Sequence, residues 1–275
     1  MNYAVNGDYV VLSGVGDFSL TAIFECGQCF RWNADENGAY HGVAFSRPLE
    51  IRREGDDVLL ETTERDFREV WHDYFDLDTD YAKIRRLVSI NTHMETATDF
   101  GAGIRILRQE KWEALCSFIV SQCNNIPRIK KIVETLCSLF GDEVAPEKYA
   151  FPTAERIAAL DEDELSPLRA GYRTKYILEA ARAVASGAVD LQTIAELHPE
   201  AALKALKTLP GVGNKVASCV ALFGLHQLNA FPVDVWMKKA LLERFDSDFD
   251  PIVFSPYAGV AQQYIFNYER NMFKR

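Results

Sequence analysis

Little in this 275-residue chain points to a membrane, an export route or a metal scaffold. No apolar run approaches the roughly 20 residues that cross a bilayer, and Met1 to Leu12 has neither the basic nor the apolar stretch of a secretion leader. A soluble, intracellular protein is expected, cytoplasmic and near the nucleoid if the source is bacterial. Positive charge is scarce too. A formal net charge of -10 excludes a protein coated in basic surface. Six cysteines at irregular spacing do not make a disulfide framework and fit a reduced compartment. Cys26 and Cys29 have metal-ligand spacing, but no second Cys or His pair of similar spacing accompanies them, so two small buried thiols are expected rather than zinc. Internal repeats and low-complexity tracts are absent as well.

What is present divides into two parts. Residues 1–65 show short alternating stretches (9–12, 39–45, 58–61) broken by Gly, Asn and Asp, the pattern of an antiparallel sheet. From about residue 66 the periodicity becomes helical, through Phe67, Val70, Trp71 and Tyr74. A Thr-, Asp- and Gly-rich break at 91–103 marks the expected boundary between a β-rich domain (1–100) and a helical one (101–275). The second part reads as all-α, which makes the fold class α+β.

The most informative stretch is 209–234. Leu203 and Leu206 share a helical face upstream, and Val216, Cys219, Val220 and Phe223 repeat at helical spacing downstream. Two helices, spanning about 199–224, therefore flank the turn Pro210-Gly-Val-Gly213. Its amides at Gly211, Val212 and Gly213 can face outward beside a helix N-terminus, where they suit a phosphate. The acidic residues crowd elsewhere, while Lys204, Lys207, Lys215, Lys238, Lys239 and Arg244 cluster around this hairpin. A local basic face on an acidic protein follows.

Lys215 lies in the first turn of the second helix, where the dipole and apolar neighbours both disfavour the ammonium. Cys219, one turn on, is within its reach. A lysine so placed is a candidate nucleophile that forms a Schiff base; a solvated or phosphate-contacting cation is the alternative. Asp234 is a good helix N-cap, and a carboxylate held there also suits an adjacent cationic centre. Both roles stay open. Arg128, Lys130 and Lys131 crowd a helix N-terminus opened by Pro127, as a bound anion or a merely solvated face would have it. Tyr172-Arg173, expected as an exposed pair at a glycine turn, suits an unpaired base, and Gln262 and Phe266 share one face of the last helix.

The run Leu209-Pro-Gly-Val-Gly-Asn-Lys215 with Pro232-Val-Asp234 resembles the helix-hairpin-helix, glycine/proline-aspartate motif of base-excision DNA glycosylases. Members that excise alkylated bases or adenine lack the lysine. Endonuclease III and the 8-oxoguanine glycosylases carry it, and endonuclease III adds a four-cysteine iron–sulfur cluster beyond the motif. No cysteine follows Cys219 in this chain. Gly27-Gln-Cys-Phe-Arg-Trp32, Ser117 to Arg128, Tyr172-Arg173 and Pro256 to Phe266 each resemble a segment of the 8-oxoguanine glycosylases, in the same order.

The resemblance implies a glycosylase/lyase that flips 8-oxoguanine out of duplex DNA opposite cytosine. Lys215 and Asp234 are then catalytic, and Gly27, Cys219, Gln262 and Phe266 form the base pocket. Arg128, Tyr172, Arg173, Asn124 and Asn125 face the estranged cytosine and the gap. No cofactor or iron–sulfur cluster is expected, apart from a structural cation at the hairpin, and no membrane partner; a monomer is expected. Two positions depart from the family pattern: Cys123 replaces the first asparagine of a three-Asn run, and Trp236 a phosphate-binding histidine. A glycosylase for another oxidised base and a non-catalytic hairpin module are the rival readings.

Overall fold

The computed structural model describes residues 2–245 and 249–272. Six antiparallel strands, β1 (Asn2–Asn6), β2 (Tyr9–Ser13), β3 (Asn33–Ala34), β4 (Tyr40–Ala44), β5 (Arg47–Glu54) and β6 (Asp57–Glu61), form one sheet in the order β1-β2-β6-β5-β4-β3. Alternation sets the register. Val10 opposes Leu60, Leu12 opposes Val58, and Ile51 opposes Leu60, so these side chains form one buried layer. Beneath it pack the short α1 (Leu20–Phe24) and a helical stretch made of α2 (Glu64–Asp66), a π-helical turn (Phe67–Trp71) and α3 (His72–Tyr74). Trp32 lies against β4, where a Cβ on Gly42 would come within 2.5 Å of its ring. Only glycine fits there.

The helical body comprises α4 (Tyr81–Val88), α5 (Thr92–Phe100), α6 (Lys111–Val120), α7 (Ile126–Phe140), α8 (Ala154–Ala158), α9 (Arg173–Ala185), α10 (Leu191–Ala195), α11 (Pro199–Leu206), α12 (Asn214–Phe223), α13 (Val235–Arg244) and α14 (Ala258–Met272). Two features differ from the sequence expectation. The break expected at 91–103 contains α5: the Asn91 side chain caps it by accepting from the Met94 amide at 2.9 Å, and Met94, Ala97 and Thr98 form a buried face. Tertiary packing here outweighs the weak helix propensity of a Thr-rich stretch. Nor is the second part wholly helical, since β7 (Glu143–Ala145) and β8 (Lys148–Tyr149) pair as a small hairpin. Gly141 ends α7, and Pro146 with Glu147 at φ +60° turns the chain back.

Two cores result. Val10, Trp32, Leu60, Trp71 and Leu107 belong to the sheet core, and α4 to α14 share the helical one. The segment 26–32 sews them together: Cys29 and Trp32 enter the sheet core, while Cys26 and Phe30 enter the helical core. Fully buried Gln28 donates to the carbonyls of Ile23 and Arg105 and accepts from the Leu107 amide at 3.0 Å. Gly27 is thereby fixed on the seam. Among the described residues, no helix is long and apolar enough to cross a membrane.

Candidate active site

The hairpin between α11 and α12 is built on its glycines. Gly211 has φ +77°, and a Cβ there would come within 2.3 Å of the Tyr176 ring from α9. The Val212 amide closes the turn on the Leu209 carbonyl at 3.1 Å. The amides of Gly211 and Gly213 have no intramolecular acceptor among the described residues. Of the three amides in the sequence reading, two are therefore open to a phosphate oxygen. Lys207 braces the turn through a 3.1 Å bond from Nζ to Asn214 Oδ1.

Lys215 follows in the first turn of α12, its Nζ 3.0 Å from Ser121 Oγ and 5.6 Å from the centre of the Phe118 ring. One turn on, Cys219 is buried. Desolvation pushes its thiol up to about 11, against the opposing pull of Lys215, so the sulfur is neutral near pH 7. Asp234 accepts the Met237 amide at 2.9 Å and so caps α13. The two roles left open for it are compatible, because the capped carboxylate also lines the cleft that Lys215 lines.

That cleft is a cavity of about 50 Å³ bounded by Gly27, Lys215, Cys219, Asp234, Gln262 and Phe266, the expected catalytic and pocket residues, and by Phe118, Phe223, Pro232 and Gln263, which the sequence does not assign to a pocket. The cavity holds a few waters rather than a purine. A base enters only if the walls part. Gln262 is 4% exposed and its side-chain oxygen has no partner, an acceptor left for a ligand. Phe118 and Phe223 stack at 5.3 Å to floor the cavity. Both are apolar residues on helices with apolar residues on several faces, where periodicity does not separate a pocket wall from the core.

The neighbouring loop is arranged differently. Asn125 caps α7 by accepting the Arg128 amide at 3.0 Å, and Asn124 donates to the Val120 carbonyl at 3.1 Å. Exposed Arg128 reaches the Arg169 carbonyl at 3.1 Å. Tyr172 is 52% exposed, but Arg173 is 4% exposed, which corrects the expectation of an exposed pair. Its guanidinium donates to the carbonyls of Gln122, Cys123 (3.1 Å) and Ala170 (3.0 Å). Cys123 sits in this loop, exposed, at φ +46°. Trp236 is half-buried in the first turn of α13. A larger cavity of about 260 Å³ lies between β3, β4, α7 and the β7–β8 hairpin. Its wall carries Lys148 with Asp35, Glu134 and Glu147 but nothing from the α11–α12 hairpin, and Arg31 there is engaged with Glu113 and the Tyr149 carbonyl.

A glycine hairpin open to phosphate, joined to a lysine and a helix-capping carboxylate in one small cleft, defines a helix-hairpin-helix protein with a candidate reactive centre. Comparison with known proteins makes the class specific. Residues 10–115 match the family model of the 8-oxoguanine DNA glycosylase N-terminal domain, and residues 116–247 match that of the HhH-GPD superfamily base excision DNA repair proteins. The chain is 33% identical over 249 residues to the N-glycosylase/DNA lyase OGG1 of Arabidopsis thaliana, covering 80% of this chain and 65% of that protein. It is 32% identical to the N-glycosylase/DNA lyase of Saccharomyces cerevisiae, covering 81% of this chain and 67% of that one. The chain thus spans about two thirds of the length of these curated relatives. The solved structure of MBOgg1 with a low-affinity DNA ligand superposes with a TM-score of 0.94 at 41% identity, over 99% of both chains. The Clostridium acetobutylicum 8-oxoguanine glycosylase/lyase, bound to duplex DNA with cytosine opposite 8-oxoguanine, gives 0.93 at 36%, again over 99% of both chains. This chain belongs to the 8-oxoguanine DNA glycosylase family of the HhH-GPD superfamily.

Proposed function

We propose that the protein is a bifunctional DNA glycosylase and abasic-site lyase that removes 8-oxoguanine opposite cytosine from duplex DNA. The observation that carries this reading is the convergence of Gly27, Lys215, Cys219, Asp234, Gln262 and Phe266 on one cavity from α12, α13, α14 and the seam segment. Its substrate is cellular DNA, on which it works as a monomer. The hairpin amides of Gly211 and Gly213 hold a backbone phosphate. A cation there belongs to the same proposal, ligated by backbone carbonyls, since no group of three or more His, Cys, Asp or Glu suited to a metal stands among the described residues. No cofactor takes part in the steps below.

Flipping costs a few kcal/mol, offset by stacking of the base between Phe266 and Cys219. The lesion differs from guanine at N7, which carries a hydrogen in the 8-oxo form and a lone pair in guanine. The Gly27 carbonyl accepts that hydrogen. With guanine, two acceptors would oppose each other at a cost of about 1–3 kcal/mol. The unpaired side-chain oxygen of Gln262 takes a donor on the base. The Lys215 amine then attacks C1′ as the C1′–N9 bond breaks, and the base departs with a proton given up by that amine. Asp234 stabilises the cationic sugar. The C1′–O4′ bond of the adduct then breaks, O4′ taking the remaining amine proton, and the resulting Schiff base loses a C2′ proton and expels the 3′ phosphate.

Borohydride reduction in the presence of a lesion duplex should give a covalent protein–DNA complex, and Lys215→Gln should abolish it. A trap that survives in Lys215→Gln refutes the lysine assignment. Equal or faster excision of thymine glycol than of 8-oxoguanine refutes the choice of base.

A further inference from the structure

Four consecutive backbone carbonyls run through the seam at 25–28, and side chains claim three of them. Arg270 of α14 donates through Nη2 to the Glu25 carbonyl. Gln263, also of α14, donates to the Cys26 carbonyl at 2.7 Å, and Gln109 donates to the Gln28 carbonyl at 2.8 Å. The Gly27 carbonyl accepts no hydrogen bond among the described residues. Carbonyls on both sides of it are pinned by amide or guanidinium donors from elsewhere in the chain.

Arg270 does more than hold Glu25. Its guanidinium lies 5.5 Å from the centre of the Phe266 ring, and Nη1 is 3.3 Å from where a Cβ on Gly27 would stand. The same virtual Cβ would be 3.4 Å from Phe266. One guanidinium thus braces both the wall that would stack on a base and the peptide that would read its edge. The residue is 8% exposed, and its Nε and Nη1 are buried without partners. Burying unpaired donors of a charged group opposes folding. An apolar side chain of similar volume would serve stability as well or better, so stability alone does not account for an arginine here.

We infer that Arg270, Gln263 and Gln109 form a clamp that leaves the Gly27 carbonyl as the one unclaimed acceptor, among the described residues, of the four at 25–28 and holds it rigidly toward the flipped base. All three are positioning residues, and their effect is on recognition of the base rather than on the lysine chemistry. The inference rests on the proposed role of Gly27 in 8-oxoguanine removal. Rigid placement matters because a hydrogen bond weakens steeply with misalignment, and a mobile peptide could turn its N–H toward guanine N7 instead.

The test separates base recognition from Schiff-base formation. Single-turnover excision is measured on an 8-oxoguanine·cytosine duplex, and borohydride trapping on a duplex with a preformed abasic site, which has no base to recognise. Arg270→Met should lower excision by about tenfold or more, the scale of one lost hydrogen bond. Trapping should stay within about twofold of the unmodified protein, well inside that loss, and Tm should be unchanged or raised. Arg270→Lys, which keeps a donor for Glu25, should recover part of the excision rate. Gln109→Leu touches neither Phe266 nor the cavity and should show the same split between the two assays. Excision at the unmodified rate in both Arg270→Met and Gln109→Leu overturns the clamp. So does a parallel loss of excision and trapping in both, which marks damage to the fold. Failure of the unmodified protein to cut the lesion duplex refutes the glycosylase reading itself, a result distinguishable from either.

Discussion

On the side proposed to receive the lesion, Gly27 and Gln262 line the cavity, and among the described residues neither the Gly27 carbonyl nor the Gln262 side-chain oxygen has a hydrogen-bond partner. On the side assigned to the opposite strand, Asn124, Asn125, Arg128 and Arg173 all donate to, or accept from, the protein's own backbone. A group that waits unpaired gains a full hydrogen bond when its ligand arrives, and has already been desolvated. A group that must first release a carbonyl gains only a difference. On the proposed assignment, the lesion side is thus preorganised to select its base strongly, whereas the opposite-strand side is built to select weakly. Cys123, with no amide to offer where an asparagine would have two donors, deepens the contrast.

The comparison breaks most readily at Phe266. Replacing it with alanine removes the stacking surface, worth about 1–3 kcal/mol per base, and should slow 8-oxoguanine excision by about 10- to 100-fold in single-turnover assays. A loss below about threefold would mean that the lesion side draws little from stacking and is no better organised than its neighbour. Arg173→Ala should act mainly on stability. It strips donors from the carbonyls of Gln122, Cys123 and buried Ala170, with an expected cost of about 1–3 kcal/mol in denaturant unfolding. Arg128→Ala should be milder still, because the exposed side chain gives up only its bond to the Arg169 carbonyl. The preference for cytosine over adenine opposite the lesion should fall by about three- to tenfold, with stability unchanged. A loss of about a hundredfold or more there would show that the loop grips its partner base as tightly as the pocket grips the lesion.

Much of the lesion side is legible in the sequence. Pro210-Gly-Val-Gly213 admits a tight turn with positive φ that bulkier residues resist, and Gln262 with Phe266 at i and i+4 must share a face. The burial of Arg173 was not legible, since an arginine beside an exposed tyrosine at a glycine turn reads as solvated. Its acceptors, the carbonyls of Gln122 and Cys123, lie about 50 positions away in sequence. Phe118, Phe223 and Ser121 escaped for a related reason. Which face of an apolar helix meets a cavity depends on what packs beside it, and no local pattern encodes that. Helix α5 and the β7–β8 hairpin were missed because tertiary contacts, not propensity, hold them.

The two sides are joined through Arg31 and Glu113. Arg31 extends the seam segment that carries Gly27, and Glu113 sits on α6, which leads into the loop of Cys123 and Asn124. Their ion pair spans 3.3 Å and is nearly excluded from solvent. Desolvation pushes the Glu113 carboxyl from 4.5 up to about 7, with Arg31 opposing the shift. A carboxyl raised in the folded state binds its proton more tightly there than in the unfolded chain. Its contribution is therefore fully present below about pH 4.5 and is lost as pH rises through about 7. Between those limits the slope approaches about 1.4 kcal/mol per pH unit, or about 2–4 °C in Tm for a chain of this size. Glu113→Gln cannot ionise and keeps an oxygen for Arg31, so its Tm should fall less than that of the unmodified protein between pH 5 and 7.5. Parallel Tm profiles for the two proteins would place the ionisation of Glu113 outside this window, and would leave the two sides joined by a pair whose charge does not change across it.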